Sequence, residues 1–448
     1  MSEPIKAVAW QAHFTALADA LDELQREGET TLASFAGEQS DFIRFNAGKV
    51  RQTGSVSQGK LTLRLIDGAR QAYSTLTVCG DLHQDLDDVR AALSTLRESL
   101  RDAADDPHLL FDTSSWTRTT QRAGRLPDPD GLLGTVAQAA EGFDFVGFYA
   151  GGTIVRGFAS TRGSRGWYEV DSFNFSWSLY DPSGRAIKTS YAGDDWSDAV
   201  FARKVEQAAA RLGVLARAPR VLEPGHYRAW LAPAALAELL GVTAWGGFSA
   251  RAQANSRSAL YKLHVGEIVV DPRVSISEDL SLGIAPAFND DGYLRDSVPL
   301  IAAGRGAERL TNARSAREYG LTPNGALPDE SPVALSMQAG DLAEEEVLAK
   351  LGTGIYIGNL WYVNFSDRMN CRLTGMTRFA TFWVENGEIV APLEAMRFDD
   401  SLYRVLGSEL EQIGAQAELL LSDSTWGERA TGGMQLPGIL VRAFELTL

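Results

Sequence analysis

Residues 354–393 read GIYIGNLWYVNFSDRMNCRLTGMTRFATFWVENGEIVAPL. The stretch opens on an apolar, aromatic strand pattern over 355–363. A polar block follows over 364–370 (NFSDRMN), and a second strand pattern covers 377–384. Asn386-Gly387 then reverses the chain into 388–393. Asn-Gly between strand-like runs predicts a type I′ hairpin, because both central residues of that turn need positive φ. A polar block held between paired strands displays its side chains in fixed directions. Asn359, Tyr362, Asn364, Asp367, Arg368, Arg372, Arg378 and Trp383 combine aromatic faces with amide and charged groups. That mixture suits an extended peptide hydrogen-bonded along a strand edge. The competing reading makes Trp361, Phe379 and Trp383 sheet core, with the charges turned outward.

Upstream, Phe14, Leu17, Leu21 and Leu24 recur at helical spacing and predict a helix over 8–27. A β meander is predicted over 30–78, with strands at 31–35, 41–45 and 60–66 and a hairpin at Asp67-Gly68. Val89, Leu93, Leu96 and Leu100 share one face of a predicted helix over 85–104. Residues 105–131 read as a linker or long surface loop. A helix over 132–141, strands through 143–192 and a helix over 197–215 follow. Asp181-Pro182-Ser183-Gly184 is a turn, with proline where it presets φ. The Pro-containing connector 217–225 marks the main boundary. Beyond it, helices are predicted at 233–240, 312–319, 341–351 and 401–414, and strands at 416–421 and 438–446. This is an α+β chain. An N-terminal helix and antiparallel-sheet domain spans 1–218, divisible into 1–110 and 130–218. A β-rich domain spans 219–448.

At 448 residues the chain has room for two large units or about three ordinary ones. A net charge of −16 disfavours binding to a phosphate backbone, so no nucleic-acid partner is expected. Two cysteines point to a reducing compartment. The N-terminus MSEPIKAVAW lacks a signal-length apolar core. Residues 231–250 come nearest to a membrane span, but Pro233, Glu238 and a Gly pair make them a buried helix and a loop. A soluble, cytoplasmic protein without membrane association is expected.

Chemistry-bearing motifs are sparse. The five histidines are His13, His83, His108, His226 and His264, and no two lie within four residues. No helix carries paired histidines at metal-binding spacing. Cys371 stands between Asn370 and Arg372, where a cation could activate a thiol, yet no histidine is near in sequence. A packed cysteine is the alternative. Gly151-Gly152-Thr153 lacks phosphate-loop spacing. Asp290-Asp291 reads first as a turn.

Three stretches, in order along the chain, resemble the TldD/TldE (PmbA) metalloprotease family. They are 41–76 (DFIRFNAGKVRQTGSVSQGKLTLRLIDGARQAYSTL), 288–321 ending in NARSAREYGL, and 354–414 with FWVENGEIVAPL. The resemblance implies a large, curved, mostly antiparallel sheet in the C-terminal domain. TldD-type chains of the family carry a H-E-x-x-x-H metal helix and a C-terminal Cys ligand. Here the corresponding helix reads PAALAELL (233–240), and 424–433 (STWGERATGG) has no cysteine. Both departures make the chain similar to the metal-free TldE-type subunit. The resemblance therefore implies no catalytic and no metal residue here. It implies zinc in a TldD-like partner carrying H-E-x-x-x-H, a heterodimer, and unfolded or small peptides as substrate. The eight residues above would then line a peptide cleft or an interface. Two other readings remain open: a homodimeric peptide-binding scaffold without protease activity, and an enzyme using Cys371.

Overall fold

The computed structural model describes residues 9–448. The predicted helix start at residue 8, and most of the N-terminal stretch read for a signal, lie outside the described residues. The first half runs α1 (Trp10–Leu24), β1 (Glu29–Asn46), β2 (Lys49–Asp67), β3 (Arg70–Thr77), α2 (Leu82–Asp102), β4 (Thr117–Arg122), α3 (Pro129–Ala139), β5 (Asp144–Ser160), β6 (Arg165–Tyr180), β7 (Ala186–Gly193) and α4 (Asp198–Leu215). The second half runs β8 (Gly225–Leu231), α5 (Pro233–Ala244), β9 (Ile276–Glu278), β10 (Val298–Ala302), β11 (Arg305–Gly306), β12 (Ala334–Met337), β13 (Gly354–Asp367), β14 (Arg372–Glu385), β15 (Glu388–Pro392), β16 (Arg397–Ser401), β17 (Leu410–Leu421) and β18 (Gly433–Leu446). Short helical segments link several of the later strands.

The first sheet has the order β3-β2-β1-β5-β6-β4, with β7 also on β6. Strands from both predicted parts of the first half lie in this one sheet, because β1 pairs along β5 from Leu32 to Phe45. The predicted short strands 31–35 and 41–45 are one eighteen-residue strand. Glycine breaks the pattern in sequence without breaking the strand. At Gly152, φ is +147° and an added Cβ would lie 2.1 Å from the Gln39 carbonyl oxygen, so glycine lets β5 lie close against β1. The 105–131 segment is not only a loop. Its β4 pairs in parallel with β6, and an exposed polar edge strand (TRTTQR) leaves no apolar alternation to read. The helices cover the sheet as their stripes require. Phe14, Leu17 and Leu21 of α1 and Val89, Leu93, Leu96 and Leu100 of α2 are buried. Asp81 caps α2 by accepting from the His83 and Gln84 amides.

The second sheet is a large mixed one of eleven strands, antiparallel except where β8 meets β13 and β12 meets β18. Because β18 also pairs with β8, strands β8, β13, β14, β16 and β18 close on themselves. Helix α5 packs against this ring through Ala235, Leu236, Leu239 and Leu240. Two predicted helices fail here. Over 401–414 only Leu402–Val405 is helical. The chain enters β17 at Leu410, and Leu402, Val405, Leu406, Leu410 and Ile413 imitate a helical stripe because all are buried. Over 341–351 a bridge between Leu342 and Gly414 holds the chain extended, so α-helix begins only at Val347.

The halves share a core. Phe145, Phe175, Trp177 and Phe201 from the first pack in one buried cluster with Tyr356, Phe382, Val384 and Leu440 from the second. No helix among the described residues is long and apolar enough to cross a membrane.

Candidate functional site

The hairpin β13–β14–β15 forms as its sequence predicts. Asn386 and Gly387 have φ of 49° and 82°, as a type I′ turn requires. The eight candidate residues on it do not form one constellation. Trp383 is buried; its indole N–H donates to Glu385, and the Arg220 guanidinium lies 4.5 Å over its ring. Arg372 is held by Asp399 and Glu445, tying β14 to β16 and β18. Asp367 accepts from the Met369 and Asn370 amides and so caps the turn Arg368–Asn370. Asp367 and Arg372, with Ser366, Arg397 and Asp399, also line an open surface pocket, whereas Trp383 belongs to the competing core reading. Asn359 is half-buried, opposite Arg378 in register.

The rest stand on the outer half of the hairpin. Tyr362 is 80% exposed, and Asn364, Arg368 and Arg378 are exposed. Trp361, assigned to the core in the competing reading, is 46% exposed and carries the Arg378 guanidinium 4.3 Å from its ring. Simple alternation could not place it. The pairing slips between Trp361 and Asn364, and Tyr362 takes a φ of 56°, so adjacent aromatics both turn outward.

Cys371 does not fit a nucleophile. It is fully buried beside Thr243, and burial pushes its thiol up to about 12. His226 lies exposed on β8, and His264 is half-buried, with burial and Arg309 lowering its pKa. No group of three His, Cys, Asp or Glu side chains able to hold a metal occurs among the described residues.

The two elements that the resemblance aligns with the metal helix and the Cys ligand, 233–240 and 424–433, meet near the junction of the halves. Helix α5 is apolar nearly all round, its one acidic residue being Glu238. Desolvation raises the Glu238 carboxyl pKa, with Lys188 of β7 opposing and Asp423 adding. Asp423 is the second residue of the β17–β18 connection, residues 422–432, which docks on the first sheet. Arg429, 1% exposed, donates from its guanidinium to Ser40 Oγ at 3.2 Å, Ser172 Oγ at 2.8 Å and the Gly152 carbonyl at 2.7 Å. Its backbone N–H donates to Glu38 at 3.1 Å. At the tip of the same loop Trp426 is 94% exposed. Its setting among Ser, Thr, Gly and charged residues (STWGER) is the one sequence signal that could have singled it out.

These residues do not fit a metal ion. On α5, Glu238 follows Ala237 and is followed four positions later by Val242. One carboxylate without a nitrogen or sulfur donor beside it on the helix is too few ligands. The docked loop contributes a buried arginine and no thiol.

Two sheets joined by a common core, one of them closing on itself with a helix packed against it, define an α+β protein. Residues 224–448 match the model of the PmbA/TldA metallopeptidase C-terminal domain, and the chain belongs to the PmbA/TldD metallopeptidase family. No curated protein matches the sequence. Solved structures share the fold over nearly the whole length. TldE from Thermococcus kodakarensis superposes with a TM-score of 0.78 at 14% identity, covering 97% of this chain and 100% of that one. A putative modulator of a DNA gyrase from Thermotoga maritima gives 0.73 at 16%, covering 98% and 100%. A putative modulator of DNA gyrase from Bacteroides thetaiotaomicron gives 0.72 at 16%, covering 98% of each chain.

Proposed function

We propose that this chain is the metal-free, TldE-like subunit of a two-chain cytoplasmic peptidase. The observation that carries the reading is the sequence Ala237-Glu238-Leu239-Leu240-Gly241-Val242 on α5. It keeps the glutamate spacing of a H-E-x-x-x-H helix but places alanine and valine at both histidine positions. The 422–432 loop supports the same reading, since it spends its buried position on Arg429. A TldD-like partner would hold zinc and supply the activated water. This chain would wall the cleft and restrict it to unfolded or small peptides, with Tyr362, Asn364, Arg368 and Arg378 on the displayed surface.

The test is co-expression with a chain from the same genome that carries H-E-x-x-x-H. Co-purification and chelator-sensitive peptide cleavage by the pair, with none by either chain alone, is the expected result. Stoichiometric zinc binding and peptide cleavage by this chain alone would sink the reading. A stable homodimer that binds peptides and ignores the metal-bearing chain would favour the scaffold reading instead.

A further inference from the structure

Strand β2 has neighbours on both sides only over its second half. Residues 60–67 lie between β1 and β3, and the Gly59 carbonyl still accepts from the Val78 amide, whereas residues 49–58 pair with β1 alone. At about 3.3 Å per residue, this leaves roughly 33 Å of strand edge without a neighbouring strand. Every residue from Lys49 to Ser55 is exposed, so alternate side chains on both faces of the strand meet solvent. Long open edges are normally blocked by proline, bulges or charge. Residues 49–59 contain no proline, and the single register irregularity, which leaves Arg51 without a partner between Val50 and Gln52, is confined to the turn end of the edge. Beyond that bulge, charge is the one device present, and it has a sign. Residues 49–59 include the exposed Lys49 and Arg51 and no acidic residue, in a chain whose net charge is −16. Such an edge repels the same edge of a second copy and attracts an acidic strand.

A binding residue stands beside it. The Gln58 amide donates to the Gly427 carbonyl at 2.8 Å, which places the 422–432 loop against this edge. The loop is pinned by the buried Arg429 and by Glu428, which pairs with Arg156 at 2.8 Å. Trp426 is therefore held in solvent by an anchored loop, and tryptophan is the residue most typical of binding hot spots.

We propose that the open edge of β2, with Trp426 beside it, takes up an extended acidic segment of another polypeptide as an added strand. The free N–H and C=O groups of residues 49–58 bond its backbone, Lys49 and Arg51 face its carboxylates, and Trp426 covers an apolar side chain. The inference does not rest on the metal-free subunit reading, which concerns α5.

The test titrates the whole chain into a fluorescein-labelled eight-residue peptide of alternating Glu and Val, followed by anisotropy. Saturable binding is expected. It should weaken about tenfold or more on N-methylation of alternate peptide amides, on Lys49→Glu with Arg51→Glu, or on exchange of Glu for Lys in the peptide, and several-fold on Trp426→Ala. Bound peptide should slow amide exchange within residues 49–59. Absence of saturable binding, or binding indifferent to N-methylation, overturns the proposal. So does a dimer in sedimentation that the two charge reversals dissolve, which would assign the edge to a second copy. Co-purification with the metal-bearing chain is scored separately, so failure here leaves that reading standing.

Discussion

Replacing Arg429 by methionine should undock the 422–432 loop without unfolding either sheet. The guanidinium is buried with three neutral oxygen acceptors and no carboxylate in hydrogen-bond contact. Burial lowers its pKa, and Glu38 is the largest influence opposing that. Methionine fills most of the volume. The Ser40 and Ser172 hydroxyls can turn to other acceptors, but the Gly152 carbonyl loses its charged donor. Bonds to a charged group contribute about 1.5–3 kcal/mol each, and relief from burying the charge offsets part of their loss. A net cost of about 3 kcal/mol to the docked loop corresponds to about two orders of magnitude in its opening equilibrium. Amide exchange followed by mass spectrometry reads this directly, because local opening sets exchange in a segment tied down by few contacts. Exchange across 422–432 should speed up about a hundredfold, while β13 and β14 stay protected. Trp426 emission should hardly change, since the ring is already in solvent. Unchanged loop exchange in a folded Arg429→Met protein would refute the argument that this arginine holds the loop.

Gly152→Ala should be severely destabilising, by about 3 kcal/mol or more, because the new Cβ would meet the Gln39 carbonyl 2.1 Å away; a melting temperature equal to the parent's would contradict the packing described. Thiol titration of the native protein should modify only the exposed Cys79, with Cys371 reacting after denaturation. Hydrogen bonding to Arg97, helped by its charge and opposed by desolvation, holds the Glu29 carboxyl below the usual range. A depressed folded-state pKa stabilises above the unfolded carboxylate value, and that contribution is lost as pH falls through the folded one. Glu29→Gln should therefore lower the melting temperature at neutral pH, and the difference from the parent should shrink below about pH 4. A difference that stays constant into acid would show that the pair contributes nothing through its charge.

Local chemistry made much of the fold legible in advance. Turns that depend on backbone conformation were readable, as at Asn386-Gly387 and Asp181–Gly184. So were helices with a one-sided stripe, such as α1, α2 and α4. Failures arose where distant partners overruled local pattern. Residues 401–414 carry a helical stripe, yet pairing of Leu410 with Val441 draws them into a sheet. The polar strand β4 has no local signal, because β6 alone supplies its hydrogen-bond partners. The candidate site was legible in part. The polar hairpin was found, but which aromatics it displays depends on a register slip that alternation cannot foresee.

By itself the sequence determined residue identity along α5 and the 422–432 loop. Alanine and valine around Glu238, no cysteine in 424–433, and five histidines of which no two lie within four residues are facts of composition and spacing. Tertiary structure decided everything that depends on who lies next to whom. It buried Cys371 and raised its thiol beyond use, turned Trp361 outward while Trp383 went inward, and drove Arg429 into the first sheet so that Trp426 is held in solvent. Burial and pairing are set by residues hundreds of positions apart, and no local pattern encodes them.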